Sequence, residues 1–181
     1  MRLLCHPDSC DSPVSAIEID VACERSALTL TYIVSGDVKR VSLPEAVVPA
    51  RADGLWQHTC FEAFVRNTGS SKYWEFNLSP SCQWAAYRFD GYREGMAMEP
   101  GARDPHIDVH SGATGFRLSA RLDLSGIPAL QANDAWRLGL SAIIEDESGG
   151  KSWWALAHPP GKPDFHHPDS FVLDLPLPPL R

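Results

Sequence analysis

The sequence predicts an all-β fold, an antiparallel sandwich or jelly roll of about ten strands with little helix. Three observations carry that expectation. Fifteen prolines and thirteen glycines cut the 181 residues into short pieces. Hardly any piece repeats apolar residues at the i, i+3, i+4, i+7 spacing of a helix face. Many pieces instead alternate apolar and polar residues with the period of two that sets the faces of a strand.

The elements follow in order. Residues 16–21 alternate, and 27–34 do so with β-branched and aromatic enrichment, closed by Ser35, Gly36 and Asp37; together they predict a hairpin-like opening. Residues 38–43 return as a short strand, and 44–54, with two prolines and a terminal Asp-Gly, form a connecting loop. Residues 55–66, 72–79 and 83–90 are three closely spaced strands, a meander. The glycine- and charge-rich stretch 91–105 is a long loop, after which strands resume at 106–110 and 115–122. Residues 123–128 hold one helical turn at most. The final core strands, 136–145 and 151–158, are joined by a glycine-bearing loop of hairpin length. A histidine-bearing loop, 159–168, precedes the last strand at 170–175, and the proline-rich tail from 176 trails off. No internal repeat or linker interrupts the chain, so residues 1–181 are expected to be one domain.

The totals exclude several functions. Twenty-three acidic against sixteen basic residues give a net charge of -7 with no basic cluster, which argues against a nucleic-acid partner. No apolar run is long enough to cross a membrane, and residues 1–8 lack the apolar region of an export signal, so a soluble cytoplasmic protein is expected. Five cysteines, with no C-x-x-C pair, read as reduced thiols; only Cys5 and Cys10 invite a disulfide or a metal.

The chemistry concentrates in the meander. Period two places Trp74, Phe76 and Leu78 on one face and Tyr73, Glu75, Asn77 and Ser79 on the other. Such a polar face is also what the solvated side of an antiparallel sheet presents. The preceding strand puts Trp56, His58, Cys60, Glu62 and Phe64 on one side; the following one puts Trp84, Arg88 and Asp90 together with small Ala86 between them. Tryptophan, glutamate, asparagine and arginine on one concave face supply an aromatic platform with hydrogen-bonding groups, as a polyhydroxylated ring with an apolar C–H face requires. In the strand from 151, Trp153 and Trp154 must point to opposite faces: one is core, and the other packs under the 159–168 loop or walls an aromatic clamp that ends near His158.

These segments resemble the DOMON-like superfamily, which includes the family 9 carbohydrate-binding modules, and more closely its small bacterial stand-alone members. The resembling stretches are GLWQHTCFEAF at 54–64, YWEFNLSPS at 73–81, QWAAY at 83–87 and FDGY at 89–92, with the closing stretch 153–171 containing FHHPD at 165–169. The resemblance implies a sandwich that binds sugars or haem and does not usually catalyse. In family 9 a sugar stacks between two tryptophans, which would suit Trp56 or Trp84 with Trp153 or Trp154. The haem-binding members use a methionine and a histidine as axial ligands, and here the methionines are Met1, Met96 and Met98.

The leading expectation is therefore a non-catalytic binding domain for a carbohydrate or similar small polar ligand, with Trp56, His58, Glu62, Glu75, Asn77, Trp84, Arg88, Trp153, Trp154 and His158 as its site and no catalytic or metal-ligating residue assigned. The alternatives are haem or metal binding and a hydrolase or isomerase using Glu62 and Glu75 with His58. His158, Asp164, His166, His167 and Asp169 have the composition of a metal site, but their spacing matches no ligand motif. No cofactor is expected; loop-bound calcium is open in sandwich folds, and the sequence does not speak to the oligomeric state.

Overall fold

The computed structural model describes residues 1–9, 11–131 and 135–176. They form two antiparallel sheets packed face to face, as expected. The strands are β1 (Arg2–Cys5), β2 (Val14–Glu24), β3 (Ala27–Gly36), β4 (Cys60–Asn67), β5 (Tyr73–Leu78), β6 (Trp84–Phe89), β7 (Ala97–Met98), β8 (His106–Ser111), β9 (Gly115–Asp123), β10 (Trp136–Glu145), β11 (Lys151–Ala155) and β12 (Leu173–Leu175). One sheet runs β7-β6-β5-β4-β10-β11-β1, with β12 also pairing with β10; the other runs β1-β2-β3-β9-β8. β1 belongs to both, pairing Leu4 and Cys5 with Ala155 and Trp154, and Arg2 and Leu3 with Glu18 and Ile17.

Alternation decides which residues enter the space between the sheets. In β3, Leu28, Leu30, Tyr32 and Val34 are buried while Thr29, Thr31 and Ile33 between them are half-exposed. They meet Phe61, Ala63 and Val65 of β4 and the Trp74, Phe76 and Leu78 face of β5 in one continuous core. Polar satisfaction bridges the layers: Tyr32 Oη donates to the carbonyl of Glu62 at 2.8 Å.

Several elements differ from expectation. Residues 38–43 make a 3-10 turn at Val38–Arg40 and a single bridge, Val41 to Asp146, where the chain crosses between sheets past the end of β10. The strand expected from residue 55 begins at Cys60; Leu55–Gln57 is a 3-10 turn, entered through Gly54 at φ 74, a conformation that glycine adopts without strain. Residues 123–130 hold two such turns rather than one. β1 and the two-residue β7 were not anticipated, and β11 and β12 are shorter than expected. Cys10 and the tail from residue 177 lie outside the described residues.

β5 is buried along its whole length on both faces, although half of its residues point away from the core. Residues 53–57 and 156–172 cover that outer face. At Gly139 of β10 a side chain would come within 3.0 Å of the Ser170 carbonyl, so this glycine lets the second loop settle on the sheet.

Candidate functional site

Between the outer face of the larger sheet and these loops lies a cavity of about 330 Å³. Strands supply its base: Glu62 of β4, Glu75 of β5, Phe89 of β6, Ile143 of β10 and Trp153 of β11. The 3-10 turn adds Trp56, the turn after β6 adds Arg93 and Met96, and the 159–168 loop adds Pro163, Phe165 and His166. Trp56 sets the edge of its ring against Tyr87 of β6 at 5.9 Å. Trp153 belongs to β11, on the far side of β5, β4 and β10.

Register brings the carboxyls together, since Glu62 pairs with Asn77 and Phe64 with Glu75 across β4 and β5. Glu62 Oε2 accepts a hydrogen bond from Ser141 Oγ at 3.0 Å, and Glu75 Oε1 accepts one from Asn77 Nδ2 at 2.8 Å. Burial pushes both carboxyls up from their usual range into the neutral one; for Glu62, repulsion from Glu75 adds to it, and for Glu75, Asn77 and Arg93 oppose it. As a coupled pair they lose their protons in two steps, the first loss making the second harder, and each step belongs to the pair rather than to one residue.

A second network holds the loop side. In the tight turn after β6, Arg93 takes φ 56, and its N–H donates to Tyr73 Oη at 3.2 Å. Tyr73 Oη lies 2.8 Å from His166 Nδ1. The other ring nitrogen, Nε2, lies 3.7 Å from Glu75 Oε2; in the Nε2–H tautomer the phenol donates to Nδ1 and the ring N–H faces that carboxyl. Burial, and secondarily the charge of Arg93, lowers His166 to about 4, so the imidazole is neutral at pH 7. Arg93 Nη2 donates to Asp164 Oδ1 at 2.8 Å, and Tyr92 Oη donates to Asp164 Oδ2. Burial raises Asp164, but these hydrogen bonds outweigh it and hold the carboxylate below its usual range.

The structure gathers four of the ten expected residues at the cavity: Trp56, Glu62, Glu75 and Trp153. Asn77 lies behind them, wholly buried, as the support of Glu75. The others are corrections. Trp84 points into the core, because β6 turns Ala85, Tyr87 and Phe89 outward instead, and Arg51 stacks over its ring at 4.4 Å. Arg88 shares that side of β6 and is exposed. Trp154 is core, with its indole N–H on Ser152 Oγ. His58 leaves the cavity to bond Glu145 Oε2 at 2.7 Å on the surface. His158 sits away from it, donating to the Leu4 carbonyl at 2.8 Å, with its ring against His6. Arg93, His166, Met96, Phe89, Phe165, Ile143 and Pro163 complete the lining, and the sequence reading had not assigned them to the site.

Among the described residues no group of three histidines, cysteines, aspartates or glutamates could hold a metal ion. Asp164 and His166, two of the residues with the composition of a metal site, are taken up by Arg93, Tyr92 and Tyr73. Met96 and His166 both line the cavity; His166 Nδ1 is paired with Tyr73 Oη and its Nε2 faces Glu75. Cys5, Cys23, Cys60 and Cys82 are free thiols. No helix among the described residues is long and apolar enough to cross a membrane.

No protein-family model and no curated protein matches the chain. Solved structures do. A protein from Bacteroides uniformis, provisionally described as carbohydrate-binding, is 14% identical, with 86% of this chain aligned to 76% of that one at a TM-score of 0.61. A family 9 carbohydrate-binding module from Caldicellulosiruptor kristjanssonii in complex with glucose is 15% identical over 84% of this chain and 72% of that one, at a TM-score of 0.48. The likeness to the Bacteroides protein shows a shared fold.

Proposed function

We propose that the chain is a non-catalytic binding domain for a carbohydrate or similar small polar ligand, seated in the cavity over β4, β5, β10 and β11. The observation that carries this reading is the convergence of Trp56 and Trp153 on the same cavity of about 330 Å³ as Glu62, Glu75, Arg93 and His166. Indole faces suit the C–H face of a sugar, while the carboxyls, guanidinium and imidazole N–H suit its hydroxyls. The volume is at the low end for small-molecule sites, roughly 300–1,000 Å³, which favours one or two sugar units over a long chain. The carbohydrate-binding description of the Bacteroides protein supports the reading, as does the DOMON-like character of residues 54–92. In this reading residues 1–181 act as one domain of a bacterial, cytoplasmic protein.

Tryptophan fluorescence during titration with a panel of mono- and disaccharides tests the proposal. A saturable change that Trp153→Ala abolishes supports it; no response across the panel, in protein shown to be folded, overturns it. A second reading, a hydrolase, rests on the two buried carboxyls sharing one cavity. Turnover that survives both Glu62→Gln and Glu75→Gln would exclude it.

A further inference from the structure

We infer that the ligand carries a protonated amine, and that the cavity selects an amino sugar over its neutral counterpart. The inference rests on the sugar-binding reading and specifies its ligand class. Glu62 and Glu75 are 3% and 5% exposed, stand on adjacent paired strands and face the same cavity. Each receives one neutral hydrogen bond, from Ser141 and Asn77 respectively. Among the described residues, Glu62 Oε1 takes no hydrogen bond and no cation pairs with Glu62.

Two buried carboxyls without a counter-charge are costly unless they are protonated or a cation enters beside them. The groups around them do not supply that cation. Cys60 lies on the same face of β4 as Glu62, Tyr32 on the core side, and Tyr87 and Tyr73 beside Glu75; all four are neutral, and burial raises each of them. His166 is neutral as well. Arg93 is the cation nearest the pair, and its guanidinium is engaged by ionised Asp164 at 2.8 Å. The raised proton affinities of the pair persist in spite of its attraction.

The remaining walls suit a cation too. Trp56, Trp153, Phe89 and Phe165 line the cavity, and aromatic faces attract an ammonium through their quadrupoles. A small ammonium fits where these rings meet the carboxyls: it would complete a charge-assisted hydrogen bond to Glu62 Oε1 and displace the proton that the empty pair retains. A neutral sugar offers only hydroxyls and would leave that proton in place.

Calorimetry with glucose, galactose and mannose, each paired with its 2-amino counterpart, tests this on the intact protein. Within each pair the ligands differ only in a hydroxyl against an ammonium. The expected result is an amino sugar bound at least about tenfold more tightly than its neutral partner, the scale of a hydrogen bond to a charged group. Titration near pH 7 in buffers of different ionisation enthalpy should show net proton release for the amino sugar and none for the neutral one. Glu62→Gln, a near-isosteric change, should erase both the preference and the release. Neutral sugars bound as tightly as the amino sugars overturn the amine inference and leave the sugar reading standing. No binding by either class, with the protein folded, overturns both.

Discussion

Tyr73 Oη is hydrogen-bonded to His166 Nδ1 at 2.8 Å while accepting the backbone N–H of Arg93, so one phenol ties down both an imidazole and the turn that carries a guanidinium. Those contacts join β5 to the 159–168 loop and to the turn after β6. The phenol keeps its hydrogen because burial pushes Tyr73 up to about 12.

Tyr73→Phe should therefore release the ring of His166 without emptying the core. The expected loss of stability is about 1–2 kcal/mol. Nitrogen NMR of the imidazole should show one dominant ring tautomer in the natural protein and a mixture in the variant, and an unchanged ratio would contradict a hold of Tyr73 on the ring.

The carboxyl pair gives stability an alkaline slope. Unfolded glutamates lose their protons near about pH 4.3, whereas Glu62 and Glu75 retain theirs in the fold up to the neutral range. The native state then binds more protons than the unfolded chain, so the stability due to these groups is complete below that lower pH and lost as pH rises through neutrality. Urea midpoints measured from pH 5 to 8 should fall, and Glu62→Gln should flatten the decline and leave the protein more stable at pH 8.

His166 acts in the opposite sense. Its folded value near 4 lies below the ordinary histidine range, so stability present above about pH 6.5 is lost as pH falls towards 4. Replacing it with Asn, whose side-chain oxygen can still accept from Tyr73, should weaken the acid slope while keeping the loop in place. Thermal denaturation at pH 4.5 and 7 reads the difference directly.

The adjacent tryptophans should separate cleanly. Trp154→Ala empties a core position and should cost about 3–5 kcal/mol. Trp153→Ala, at a half-buried position on the cavity, should cost far less stability and reduce ligand binding instead. Paired denaturation and fluorescence titration would show whether the two losses divide in this way.

The sandwich was legible because alternation and turn chemistry are local, and β5 and β10 appear close to where their periodicity puts them. What alternation cannot reveal is which of two apolar faces turns inward. In β6 the Trp84–Ala86 side and the Ala85–Tyr87–Phe89 side are both apolar, so choosing the site-facing side from small Ala86 gave the wrong face. Trp56 reaches the cavity although it lies on a turn rather than on the expected strand. Arg93 and His166 come from loops whose approach to β5 is set by Tyr73 and Asp164, through contacts that reach 93 residues along the chain and leave no local pattern. The adjacent Trp153 and Trp154, by contrast, announced a split between two faces, and the strand delivers it.

The place of β1 in both sheets bears on how the molecule assembles. His158 bonds the Leu4 carbonyl across 154 residues of sequence, and β1 pairs with β11 beside it. Contacts of that span form only after the intervening chain has lost much of its freedom, which slows folding in proportion to topology rather than stability. On a ribosome, the hairpin of β2 and β3 can form early, but the first strand must wait for β11 to emerge before it can join the two layers. β1 can pair early with β2 through Arg2 and Leu3, but until β11 arrives the backbone of Leu4 and Cys5 stays open to pairing with other chains, and that interval is when this protein is most exposed to aggregation.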